Sequence, residues 1–151
     1  MVFGLAWPVF GATSAVSALL AGWALRHYTR MQVWVFSQVL MGIGVLLPSL
    51  WLNMGTIALA ALFVGGTFVV VTLAGVQEAR ALSPHNPTVL VSRMTASFAL
   101  GQLAGPVVST LLGYLHIPVD TALNVALQIA AAGLLLSAAW LWRYVPDPAA
   151  H

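Results

Sequence analysis

The chain has 151 residues, 61% of them hydrophobic and only 5% charged, with a mean hydropathy of +0.98, whereas soluble domains average about 45–50% apolar and about 25% charged. Five arginines, three acids and no lysine leave a net charge of +2, too little to neutralise a row of phosphates, so nucleic acid is excluded as a partner. The absence of cysteine removes disulfides, thiolate metal sites and thiol nucleophiles.

The lipid bilayer is the expected solvent, and the fold class that follows is all-α: a polytopic membrane bundle of five transmembrane helices in a single domain, residues 1–151. The first apolar run, residues 2–25, stops at Arg26-His27-Tyr28-Thr29-Arg30. No basic segment precedes it and it is too long for a signal-peptide core, so it reads as a true span. Trp7-Pro8 beside Gly11 suggests a kinked outer end. The second run, 32–52, ends at Asn53-Met54-Gly55, a connection so short that spans two and three must form a hairpin. The third, 56–76, leads into Gln77-Glu78-Ala79-Arg80 and then Ser83-Pro84-His85-Asn86-Pro87, whose prolines break a helix. The fourth, 89–115, carries Arg93 near its start, and His116 to Asp120 separates it from the fifth, 121–142, with Asp120 placed as an N-cap. Blocks of this length exclude a membrane β-barrel, whose strands alternate over about 10 residues.

If the spans alternate, Arg26, Arg30, Arg80, Arg93 and Arg143 all fall at one end of the bundle and none at the other. The positive-inside rule then puts residue 1 outside and residue 151 in the cytoplasm, in a multi-pass protein of the cell inner membrane. Trp34, Trp140, Trp142 and Tyr144 suit the cytoplasmic interface, with Trp51 and Tyr114 at the opposite one.

No ionisable residue is expected at mid-membrane, so no proton relay is visible. Hydrolase, kinase and metalloprotease motifs are absent, and His27, His85, His116 and His151 lie in separate loops or at the terminus, unable to share a metal without a special fold. No enzyme, catalytic residue, metal or cofactor is therefore expected. The best-defined local pattern is Gly101-Gln102-Leu103-Ala104-Gly105-Pro106 in span four. Glycines four apart share a face suited to helix packing, while Pro106 can kink the helix for a rocking motion. Gln102, one turn from Phe98, must face protein or water to satisfy its amide, which makes it a candidate substrate contact. Gly65, Gly66 and Thr67 in span three offer the same choice between packing and a cavity face. Asn124 and Gln128 on span five read as interhelical glue. Glu78 shares its end of the bundle with Arg26, Arg30, Arg80 and Arg93, either as a solvated cluster or as a latch from Glu78 to Arg26 or Arg30, with Arg80 and Arg93 competing.

These pieces resemble the major facilitator superfamily, in particular the C-terminal half of its YbfB/YjiJ-type members. Gly22-Trp23-Ala24-Leu25-Arg26-His27-Tyr28-Thr29-Arg30 looks like a degenerate copy of the family's cytoplasmic loop signature. It has Arg26 where Asp is usual, so the charge latch would be inverted, with Glu78 as its acid. Gly65-Gly66-Thr67-Phe68 looks like the tenth helix, and Arg93 through Pro106 like the eleventh, with Val107-Val108-Ser109 in place of further glycines. The resemblance implies helices eight to twelve of a twelve-helix secondary transporter, with Gln102, Phe98 and Thr67 facing the cavity and Gln38, Asn124 and Gln128 peripheral. It implies a small-molecule substrate, and as partner an N-terminal transporter half that would supply the facing wall. The competing reading is a stand-alone small membrane protein acting as an oligomer or accessory subunit.

Overall fold

In hydrocarbon every backbone N–H and C=O must be satisfied within the chain, which leaves the helix as the form for each apolar run. A computed structural model describes residues 2–114 and 118–144 and shows five helices: α1, Val2–His27; α2, Arg30–Leu50; α3, Met54–Leu82; α4, Pro87–Tyr114; and α5, Val119–Trp142. Among the described residues there is no strand. His116, His151 and the terminal residue Met1 lie outside the described residues.

Local chemistry fixes several of the helix ends. Thr29 caps α2 in a reciprocal box with Gln32, and Asn53 caps α3 in the same way with Thr56, each box satisfying two otherwise orphaned amides. The α2–α3 connection is therefore Trp51-Leu52-Asn53, with Met54 and Gly55 already helical. At its other end α3 runs on to Leu82, beyond the apolar run, because Gln77, Glu78, Ala79 and Arg80 are good helix formers. The expectation for α5 is corrected: its N-cap is Pro118, without a side-chain cap bond, and Asp120 already lies inside the first turn.

Four segments have the length and composition to cross a membrane: Pro8–His27, Arg30–Leu50, Met54–Leu82 and Thr121–Trp142. Among the described residues α4 is not one of them. At 28 residues it is about 42 Å long, ample for the purpose, but Ser92, Arg93, Thr95, Ser97 and Gln102 dilute its apolar character.

The antiparallel hairpin of α2 and α3 is the centre of the bundle, with α1 laid along α3 and α5 along α2; α4 touches α3 and α5 only lightly. The core is built of small side chains, with Ala21, Ala74, Ala131 and Ala138 at 1% exposure or less. Where the bilayer supplies no drive to bury apolar area, close approach of small residues is what holds helices together. At Gly65 the approach is extreme: a Cβ there would lie 2.7 Å from the Phe10 carbonyl oxygen and 2.9 Å from its Cα. Ser14 Oγ donates to the Gly65 carbonyl across the same crossing at 2.8 Å.

Candidate functional site

One stripe of α4, at the helical spacing Met94, Phe98, Gly101, Gly105, faces α3. At its lower end the contact is tight, since a Cβ on Gly75 would meet Met94 Sδ at 2.9 Å. One turn on, the Phe98 ring lies 5.6 Å from that of Phe68, which is itself 6.2 Å from Phe10, so aromatic rings link α4, α3 and α1. Beyond Phe98 the helices part: nothing lies within 4 Å of a Cβ built at Gly101 or Gly105.

Gln102 stands exposed at this opening, one turn from the half-exposed Phe98. Pro106, four residues on, remains inside a continuous α4 but has no N–H to give the Gln102 carbonyl. Gln102 thus offers a side-chain amide and a backbone oxygen deprived of its helical donor. The structure brings Phe98 and Gln102 together here, and Thr67 apart from them. Thr67 is 6% exposed and its hydroxyl donates to the Phe63 carbonyl at 2.7 Å. Gly65 and Gly66 lie against α1, with Thr13 Cγ2 3.2 Å from a Cβ at Gly66.

At the other functional cluster, Arg30 Nε donates to Glu78 Oε2 at 2.9 Å, joining the start of α2 to the end of α3. The arginine side chain is 45% exposed and the glutamate 19%. Beside the pair lies a hollow of about 320 Å³ walled by Leu25, Tyr28 and Tyr144, so the ends of α1, α3 and α5 and the start of α2 share one end of the bundle. Arg26 and Arg93 are exposed and make no ion pair with Glu78. Arg30 and Arg26 both stand on helices packed against α3; it is Arg30, at the first position of α2, whose guanidinium reaches the Glu78 carboxylate.

Two features escaped the sequence reading. Gln38 on α2 is buried, its Nε2 donating to the Leu134 carbonyl of α5 at 3.3 Å while its Oε1 has no partner among the described residues. The signal was an amide in mid-run, set aside as peripheral. A second hollow, of about 550 Å³, runs between Arg80 and the α4 face of Thr88, Ser92, Thr95, Ala96 and Ala99. Spacings of three and four between those positions were visible in the sequence; the facing arginine was not. Among the described residues no cluster of three potential metal ligands occurs.

The sequence profile of the family described as "Uncharacterised MFS-type transporter YbfB", where MFS is the major facilitator superfamily, matches residues 1–141. The chain belongs to this family. No curated protein and no solved structure matches it. As an MFS-type protein with several membrane-crossing helices it is a multi-pass membrane protein of transporter type, in a bilayer environment.

Proposed function

We propose that this YbfB-type chain is the C-terminal portion of a secondary transporter that moves a small molecule across the inner membrane by alternating access. The substrate path runs along α4 where it parts from α3. The observation that carries this reading is the opening beyond Phe98, where Gly101 and Gly105 have no neighbour at Cβ distance and Gln102 presents its amide. An amide at membrane depth needs a polar partner, and a substrate is one that can come and go. Phe98 supplies an aromatic wall, and Pro106 with the two glycines lets α4 bend. Thr67 lies buried on α3, its hydroxyl committed to the Phe63 carbonyl of its own helix. The missing wall belongs to an N-terminal half that faces α4, and rocking of the two halves alternates access.

In this reading the end bearing residue 151 is cytoplasmic and residue 1 is outside, which the one-sided arginines support through the positive-inside rule. There the ion pair of Arg30 with Glu78 latches α2 to α3. Its partial exposure limits it to about 0–1 kcal/mol, enough to bias two conformations by no more than about fivefold. The direct test is uptake and efflux of a panel of labelled small molecules by cells with and without the protein in its native assembly. A saturable difference for at least one compound, diminished by Gln102→Ala, is expected. Equal fluxes for every compound, or fluxes untouched by Gln102→Ala, would overturn the reading.

A further inference from the structure

Resting on that reading, we propose that the groove between Arg80 and α4 binds the acid group of the substrate, making the transported class small organic anions. Arg80 is the cation of this hollow, and among the described residues it has no ion pair or hydrogen bond; the acid nearest in sequence, Glu78, is taken by Arg30. Thr88 and Ser92, exposed like Arg80, line the same hollow and their hydroxyls also have no hydrogen-bond partner among the described residues, whereas Thr95 donates to the Val91 carbonyl. A guanidinium and two uncommitted hydroxyls lining one hollow are a donor set for a carboxylate or phosphate, which accepts several hydrogen bonds at once. A cationic ligand would be repelled by the exposed guanidinium, and a neutral one would forgo the charge-assisted hydrogen bonds that an acid group makes with it.

The rest of the groove fits the remainder of such a molecule. Ala96 and Ala99 keep it open with short side chains, and Thr88 to Ala99 spans about 16 Å along the helix. Thr88, Ser92, Thr95, Ala99 and Gln102 follow one another at intervals of four and three residues, hence on one face of α4. The hollow ends at Ala99, and Gln102 is the next position along the same face of α4. An acid group at Arg80, an apolar body over the alanines and a hydrogen-bonding group towards Gln102 describe the ligand.

The test is binding, independent of transport. The chain in dodecyl maltoside micelles is titrated with 4-fluorobenzoate and, separately, with neutral 4-fluorobenzamide, followed by fluorine NMR against protein-free micelles. Saturable binding of the benzoate alone is expected, weakened at least tenfold by Arg80→Gln and about threefold by Ser92→Ala. Arg80→Lys, which keeps the charge and loses the fork, should fall between wild type and Arg80→Gln, and Arg143→Gln should match wild type. Circular dichroism checks that each variant is helical, and should Arg80→Gln fail to fold, Arg80→Lys and Ser92→Ala carry the test. Equal binding of both probes, or benzoate binding indifferent to Arg80, would overturn the proposal. So would a third outcome in bilayer nanodiscs, in which Arg80 retains phosphatidylglycerol and no benzoate binds, since the anion would then be a lipid headgroup. Benzoate binding without transport of any compound leaves the groove standing and removes the transporter reading; transport indifferent to Arg80 does the reverse.

Discussion

Replacing Gly65 by alanine tests the closest contact in the bundle. The added Cβ would lie 2.7 Å from the Phe10 oxygen and 2.9 Å from its Cα, where ordinary contact begins near 3.4 Å. Both atoms are backbone, so no side chain can swing aside, and α1 must retreat from α3 by about 0.7 Å. A gap of that size forfeits about a quarter to a half of the dispersion energy of neighbouring atom pairs. It also stretches the 2.8 Å bond from Ser14 Oγ to the Gly65 carbonyl, worth about 0.6 kcal/mol within a membrane. Overpacking costs about 1–3 kcal/mol, against which alanine gains about 1 kcal/mol in helix propensity. The net expectation is a loss centred on about 1.3 kcal/mol and of at most about 2.6 kcal/mol, so about tenfold in the folded-to-unfolded ratio at its centre. Gly101→Ala is the control: with nothing within 4 Å it keeps only the propensity gain and should be neutral or up to about 1 kcal/mol more stable. Reversible unfolding by sodium dodecyl sulfate in mixed micelles, followed by far-UV circular dichroism, measures both. Gly65→Ala matching or exceeding the parent would refute the reasoning, as would Gly101→Ala proving the more damaging change.

Three further expectations follow from the same contacts. Glu78→Arg and Arg30→Glu should each slow transport in the native assembly and the double exchange should restore part of it, while Arg26→Glu with Glu78→Arg should not; equal recovery by both pairs would mean a diffuse charge cluster. Gln38→Met, which removes a buried amide whose oxygen has no partner among the described residues, should leave stability within about 0.5 kcal/mol of the parent or raise it, and a loss above about 2 kcal/mol in the same unfolding assay would contradict this. Alkaline phosphatase fused after residue 151 should be inactive and a green fluorescent protein fused there should glow; the reverse pattern would invert the topology.

The helices were legible in the sequence because each is a long apolar block, and the α2–α3 hairpin because Asn53 follows the second block so closely. The end of α3 was not, since hydropathy falls at Gln77 while helix propensity continues to Leu82. For the start of α5, Asp120 had the chemistry of a cap, yet the chain turns earlier, at Pro118. The likeness of Gly65-Gly66 to Gly101-Gly105 in sequence concealed opposite surroundings, one pair pressed on α1 and the other at an opening, because a glycine's neighbours depend on helix placement. Glu78 with Arg30 was anticipated as one of two pairings; α1 and α2 both pack on α3, so only the placement of the two helix ends around Glu78 distinguishes them. The Arg80 groove combines two helices, and no local pattern announces such a site.

The path along α4 is the central claim, and the absence of cysteine allows a direct measurement. Gln102→Cys and, as a membrane-facing reference, Leu136→Cys at a residue 72% exposed on α5 are each expressed in the native assembly. Cells are treated with a charged, membrane-impermeant methanethiosulfonate, which reacts with thiolates and therefore needs water at the site. The account predicts modification of Gln102→Cys, slowed by transported substrate, with Leu136→Cys inert. Equal inertness of the two thiols in both intact cells and inverted vesicles would place Gln102 in lipid or in a closed helix contact and contradict a path along α4.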